Sequence, residues 1–521
     1  MSDTAIKVVN PATGRLISAV EGWGAERVEA AVARAHTASR AWALVPVAER
    51  AARAARLARA LRERRGALAS LVVAEMGKPV REAEGEVEKS ALTAEYYARQ
   101  GPAILADQHI EVDAAEAAWV SHEPLGLVLA VMPWNFPVWQ VMRFAIPSLV
   151  AGNGVLLKHA SNVTGSALAL QDLFVAAGFP EHLVTALLIA DREVPEVTAR
   201  LIEDDRVAAV TLTGSDRAGA AVGSAAGRAA KKSVLELGGS DAFVVLDDAD
   251  VGAAAAAAVK ARFANSGQSC VCAKRFIVSA SVADAFTSAF VAGVEALRVG
   301  DPREPDTQVG PLARDDLRAA IHRQAQDSVA AGARLLTGGR PLPGDGYFYE
   351  PTVLADTGPG MAAFDEETFG PLAALAVARD DEDAVRLANA TAYGLGLSVW
   401  TADPARGVAL ARRVTSGAAF VNAIVASDPR LPFGGTKRSG YGRELAAAGI
   451  VEFTNTRTYW VGRWSGQQRD GAAPRVRDAT PWPSPPAARP SGWPRPASPS
   501  RPSSDTATGH HRGCRPLADH V

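Results

Sequence analysis

Between residues 25 and 100, apolar positions recur three and four apart, the spacing of one helical face. "RVEAAVARAHTASRAWALV" and "RAARAARLARALRERRGALASLVVAEM" carry the pattern, and both are rich in helix-favouring Ala, Leu, Arg and Glu. Acids are interspersed among the arginines, so the arginines read as a solvated face rather than a nucleic-acid patch. From about residue 125 the period shortens. "GLVLAVMP", "NGVLLKHA", "AAVTLTGS", "SVLELGG" and "DAFVVLDD" are short β-rich runs broken by Gly, Pro or Ser, with helical stretches such as "GSALALQDLFVAAG" between several of them. A second series, "KRFIVSA", "ARLLTGG", "LAALAVA" and "GLGLSVWT", follows. Strands alternating with helices predict two α/β lobes with parallel sheets.

The segment 465–521 departs from this texture. Pro, Arg, Ser and Ala dominate, and Lys and Glu are absent. Such a composition cannot bury enough apolar surface to order itself, and we expect a disordered tail. A Pro-rich ligand for another domain is the other reading of it.

Composition excludes several classes. Of 521 residues, 48% are hydrophobic and 21% charged, which suits a large buried core. A net charge of -2 calls for neither nucleic acid nor an anionic membrane. Three cysteines cannot build a disulfide framework and fit a reducing compartment. The first residues, with Asp3, Lys7 and Arg15, do not read as a signal peptide, and "LGLVLAVMPWNFPVW" is too short to span a bilayer. A cytoplasmic enzyme is the expected class.

Three stretches carry candidate chemistry. In "ANSGQSCVCAKRF", Cys270 is open to three readings: a packed thiol, a metal ligand or a nucleophile. Zinc would need further ligands, yet the third cysteine, Cys514, lies in the tail, as do His510 and His511. Nearby Lys274 and Arg275 favour a thiolate. In "SVLELGGSD", Glu236 stands among apolar residues, where desolvation would raise its pKa towards that of a general base; an edge-strand salt bridge is the plainer alternative. In "VMPWNFPVWQ", Asn135 lies between two prolines and is either an oxyanion donor or a turn residue.

Together these stretches resemble the aldehyde dehydrogenase superfamily. "PWNFP", "LLKHAS", "TLTGS", "LELGG", "NSGQSC", "EETFGP" and "LPFGGTKRSGYGRE" occur in order, and the likeness runs from about residue 5 to about 462. "KHASN", "LELGGSD" and "SDPRLPFGGTKRSGYGRE" look closest to the NADP-dependent succinate-semialdehyde dehydrogenase branch. The resemblance implies that Cys270 attacks the aldehyde carbon, that Asn135 and the Cys270 backbone N–H hold the oxyanion, and that Glu236 activates water against a thioester. It implies cofactor contacts at Trp134, Lys158, His159, Ala160, Ser161, Gly214, Ser215, Leu237, Glu367 and Phe369. NAD-preferring relatives often carry a glutamate where Ser161 stands, so NADP is expected, with NAD possible. The family does not use a G-x-G-x-x-G fingerprint, and none follows a first strand here.

By the same resemblance, Arg143 would bind a substrate carboxylate in a two-pronged contact, beside an apolar wall at Trp139. Some relatives carry a second arginine where this chain has Ala264, and Ser427 and Arg430 could compensate. "EHLVTALLIADREV" lacks a glycine-containing turn found near the adenine in relatives. Cys272 is a candidate redox partner for Cys270. The implied parts are a dinucleotide-binding domain (1–107 and 127–236), a catalytic domain (237–430) and a small β oligomerisation extension (108–126 and 436–464), in a homodimer or homotetramer. No metal, nucleic acid or membrane partner is expected. The rivals are a broad-specificity aliphatic aldehyde dehydrogenase, a non-catalytic structural protein of the same fold, and an interaction module driven by the tail.

Overall fold

The computed structural model describes residues 5–463; the expected tail, with His510, His511 and Cys514, lies outside them. The helical texture before residue 105 becomes four helices, Ala25–Ala43, Val47–Glu63, Arg65–Met76 and Val80–Ile104. The apolar faces of the last three, among them Ala54, Leu57, Leu61, Val72, Val87 and Ala94, are buried in one core cluster with the helix Trp139–Ala151, whereas Val28, Ala31, Val32 and Ala35 of the first lie in a second cluster. Not every arginine here is a solvated face. Arg50 is buried and gives its guanidinium to the carbonyls of Val150 and Val45, at 2.9 Å each. Backbone acceptors left over at a helix end replace the water it gives up.

Two sheets follow. The first is six-stranded, in the order Gly440–Tyr441, Lys232–Glu236, Val207–Thr213, Leu127–Met132, Gly154–His159, Val184–Ala186. All neighbours are parallel except the antiparallel Gly440–Tyr441 edge. The chain steps outward from Leu127–Met132 in one direction, then returns to Val207–Thr213 on the other side. The carboxyl ends of these two strands form a topological switch point, where open α/β sheets leave a crevice for ligands. The second sheet is seven-stranded, in the order Arg334–Thr337, Thr352–Ala355, Leu372–Ala378, Ala273–Ser279, Asp241–Val245, Leu397–Trp400, Phe420–Val421. It is parallel apart from Arg334–Thr337. The α/β class expected from the alternating pattern is the class found.

A three-stranded sheet contains Thr454–Gly462, Ala115–Pro124 and Gln108–His109 in that order. The expected extension began at residue 436, but Thr436–Lys437 pairs with Tyr393–Gly394, and Gly440–Tyr441 with the Glu236 strand. Gly440 makes this possible: its φ is +108°, and a Cβ there would lie 1.9 Å from the Leu235 carbonyl oxygen. By compactness the described residues divide into one large unit, 5–110 with 118–459, and a small one, 111–117 with 460–463.

Before Cys270 the backbone turns left-handed over three residues, with φ of 53° at Asn265, 55° at Ser266 and 73° at Gly267. A Cβ on Gly267 would lie 2.3 Å from the Gly370 carbonyl oxygen. Gly267→Ala is therefore expected to cost about 2–4 kcal/mol of stability, read as a lowered Tm in thermal unfolding; an unchanged Tm would contradict the packing described.

Candidate active site

Two irregular loops meet here, and acids from the helix Val80–Ile104 hold both. Glu86 Oε1 accepts the N–H groups of Val138 (2.8 Å) and Trp139 (2.9 Å), amides at the start of the helix Trp139–Ala151. Its other oxygen pairs with Lys78, whose ammonium lies 3.6 Å from the Phe136 ring centroid. Glu82 accepts the Asn265 N–H at 2.6 Å, and burial raises its pKa to about 7. Asn265 Nδ2 then donates to the carbonyls of Asn135 (2.9 Å) and Gln268 (3.0 Å), and Asn135 Nδ2 donates to Gln268 at 3.1 Å. One amide hydrogen of Asn135 is thus spent on the cysteine loop, leaving its second for an oxyanion.

Cys270 is half-buried against Trp139, Leu395, Phe433 and Leu445. Its carbonyl accepts Lys274 Nζ at 2.8 Å and lies 2.6 Å from where a Cβ of Gly239 would stand. Burial pushes the thiol up to about 12, against the pull of Arg143 and Lys274. The two cations next to it in sequence do not produce a thiolate. Lys274 is occupied by the Ser269 and Cys270 carbonyls and by Glu367, and Arg275 by the carbonyls of Ser240, Leu387 and Ala388. Cys270 precedes the strand Ala273–Ser279 and does not itself begin a helix. Cys272 is buried with its thiol directed at the Ala264 carbonyl (3.8 Å), and both cysteines are free.

Glu236 ends the strand Lys232–Glu236 with 2% of its surface exposed. One carboxylate oxygen has no hydrogen-bond partner. Burial and the charge of Glu444 raise its pKa, opposed by Arg143 and Arg443, and its charge is felt at Cys270.

Most of the expected cofactor residues follow the carboxyl ends of the first sheet's strands: Trp134 after Leu127–Met132, Lys158 to Ser161 at the end of Gly154–His159, Gly214 and Ser215 after Val207–Thr213, and Leu237 after Lys232–Glu236. The Gly214 N–H donates to the Glu236 carbonyl at 3.0 Å, and Ser215 caps the helix Asp216–Arg228 through Ala218 N. Leu237 packs so close to that helix that a Cβ on Gly219 would lie 2.4 Å from it. Trp134 and Phe369 meet edge-to-face at 5.7 Å, and Glu367 accepts the Gly239 N–H at 2.9 Å. Lys158 is buried beside Ala160, with its pKa lowered by burial and Asp191 pulling it back up. These residues fit a dinucleotide: among the described residues Lys158 has no carboxylate in ion-pair contact and the buried Thr213 hydroxyl has no hydrogen-bond partner. His159 takes another role. Its Nε2 donates to the Pro137 carbonyl at 2.9 Å, its Nδ1 accepts from Ala160 N at 3.0 Å, and burial holds its pKa near 4. It braces the Asn135 loop as a neutral ring instead of facing a ligand.

Among the expected substrate residues, Arg143 and Trp139 border the Cys270 cluster: Arg143 stands 4.7 Å over the Phe433 ring and is ion-paired to Glu444, with Nη2 unpartnered. Ser427 accepts from Lys89 Nζ at 2.7 Å. Arg430 does not join them; it is exposed and held by Asp428 two residues away. Among the described residues no group of three or more His, Cys, Asp or Glu could hold a metal ion, and no helix is long and apolar enough to cross a membrane.

A family model described as "Aldehyde dehydrogenase family" matches residues 1–459. The chain belongs to the aldehyde dehydrogenase family. The relatives of this aldehyde dehydrogenase include "Succinate semialdehyde dehydrogenase [NAD(P)+] Sad" of Escherichia coli strain K12, 47% identical over 87% of this chain and 97% of that one. A probable succinate-semialdehyde dehydrogenase [NADP(+)] of Synechocystis is 46% identical over 88% and 100%. The solved succinic semialdehyde dehydrogenase of Streptococcus pyogenes, in complex with NADP+, superimposes with a TM-score of 0.84 at 34% identity, covering 88% of this chain and 100% of that one.

Sequence reasoning missed Glu82, Glu86, Asn265, Glu444 and Asp191. The two glutamates on the helix Val80–Ile104 look like any charged face. Glu444 sits inside the quoted "GYGRE", and Asp191 inside the segment already noted for its missing glycine.

In the coenzyme-free Cys272→Ser protein, alkylation of Cys270 by iodoacetamide is expected to keep accelerating from about pH 8 to about pH 10. A plateau below about pH 8 would contradict a thiol raised by burial.

Proposed function

We propose that this aldehyde dehydrogenase oxidises succinate semialdehyde to succinate, with NADP as the preferred coenzyme and NAD accepted. The observation that carries the chemistry is the buried Glu236 carboxylate, with one oxygen unpartnered, within electrostatic reach of Cys270. The Cys270 thiol loses its proton to solvent water, and the sulfur bonds to the aldehyde carbon as the carbonyl π pair moves onto oxygen. The second Asn135 amide hydrogen and the Cys270 N–H receive the oxyanion, one such donor being worth about 3 kcal/mol of barrier. Bound coenzyme supplies the hydride acceptor. Glu236, raised by burial, takes a proton from water as the water attacks the thioester carbon; the C–S bond then breaks, and the departing Cys270 thiolate regains that proton from the Glu236 carboxyl. Its role favours hydrolysis over transfer to a second thiol.

The relatives' names support the substrate, and Arg143 would be its carboxylate partner. A second reading, a broad aliphatic aldehyde dehydrogenase, is favoured by the ion pair that Glu444 already makes with Arg143. We also propose assembly into a homodimer or homotetramer through the strand Thr454–Gly462, which ends its three-stranded sheet, with gel filtration as the check.

Turnover assays distinguish the two substrate readings. Arg143→Ala is expected to lower kcat/KM for succinate semialdehyde far more than for butanal; equal losses would favour the broad enzyme. Glu236→Gln is expected to release one equivalent of reduced coenzyme per site and then slow about 10²–10⁴-fold, with the acyl group on Cys270 seen by mass spectrometry; unchanged steady turnover would remove Glu236 from the reaction. The Asp191 carboxylate accepts a hydrogen bond from Ser161 at 3.1 Å and would repel a 2′-phosphate there. Asp191→Ser is expected to raise the NADP-to-NAD ratio of kcat/KM by about 5–10-fold; an unchanged ratio would put the ribose elsewhere.

A further inference from the structure

The helix Val80–Ile104 sends a cation towards the Cys270 cluster. Lys89 is half-buried; its ammonium lies 4.7 Å from the Trp139 ring centroid and donates to Ser427 Oγ at 2.7 Å. Trp139 belongs to the apolar cluster on which Cys270 packs, so the same ring borders both the nucleophile and the ammonium. The charge of Cys270 is felt at Lys89, as are those of Arg143, Glu86 and Asp428.

The acids around Lys89 are all committed elsewhere. Asp428 holds Arg430 through two short contacts, and Glu86 holds Lys78 together with the amides of Val138 and Trp139. Arg143, the other cation of the cluster, already has Glu444. Among the described residues Lys89 has no carboxylate in ion-pair contact; its hydrogen-bond partner is a neutral hydroxyl. Desolvation, with Arg143 adding to it, lowers its pKa to about 8. A half-buried ammonium beside an aromatic wall and a hydroxyl is complementary to a carboxylate, which would supply the missing counter-charge.

We propose that Lys89, with Ser427, anchors the distal carboxylate of an ω-carboxy aldehyde whose carbonyl reaches Cys270. This rests on the aldehyde-oxidising reading above and assigns its specificity to Lys89 in place of Arg143 alone. Trp139 would lie along the methylene chain. The lysine contributes charge only while protonated, so selectivity for the carboxy substrate should fall as pH rises past about 8 in the free enzyme.

The test uses the full-length enzyme, ω-carboxy aldehydes of three to six carbons, and the matching uncharged alkanals. The readout is the ratio of kcat/KM between members of each pair, which cancels effects on the shared chemistry. Lys89→Met is expected to lower that ratio by about 30-fold for the best carboxy substrate, with partial recovery in Lys89→Arg. In wild type the ratio should fall above about pH 8, and in Lys89→Arg it should stay flat. A ratio unchanged in Lys89→Met, or a wild type without preference for any carboxy aldehyde, would overturn the proposal. A wild-type optimum at a length other than four carbons would overturn the succinate semialdehyde reading, while the Lys89→Met ratio still decides the anchor.

Discussion

Two carboxylates of one helix, Glu86 buried and Glu82 half-buried, accept backbone N–H groups and hold this site together. The Asn135 and Cys270 loops are irregular, so neither can satisfy its own amides with a regular ladder. Glu86 serves the first loop and Glu82 the second, both from one helix. A buried unpaired amide would cost about 1–3 kcal/mol, so these contacts fix the loop positions. Lys78 balances the charge of Glu86 and is itself fully buried. Asn265 joins the two loops to each other, in a left-handed backbone that such tethering can hold.

Close approach is the second constraint. Gly238 leaves room for the Glu367 carboxylate, whose oxygen would stand 2.5 Å from a Cβ there, and Gly239 leaves room for the Cys270 carbonyl. Ser439 stitches this corner: it donates to the Gly238 carbonyl, accepts from the Gly394 amide, and its own carbonyl accepts the Leu237 N–H. Strand ends from both large sheets therefore come close together beside Cys270, with no side chain on Gly238 or Gly239 between them.

Electrostatics at the centre follow from the same burial. The thiol and the Glu236 carboxyl are both pushed towards their neutral forms. Arg143 opposes this at both groups while paired with Glu444, so a single guanidinium influences nucleophile and base together. The site favours a charge chiefly when substrate or coenzyme supplies its complement.

Local pattern determined the helices before residue 105, the strands from Leu127 to Trp400 and the α/β class, because period and turn chemistry are properties of neighbouring residues. The motifs around Cys270, Glu236 and Asn135 were legible for the same reason, since their chemistry is carried within a few residues of each. The tertiary structure alone decided which charges are spent and which are free. Arg275 next to the nucleophile loop goes to carbonyls more than a hundred residues away, Arg143 to Glu444, and His159 to a loop carbonyl, whereas Lys89 reaches Trp139 and Ser427. A cation's partner depends on which distant surfaces fold against it, and spacing along the chain carries no record of that.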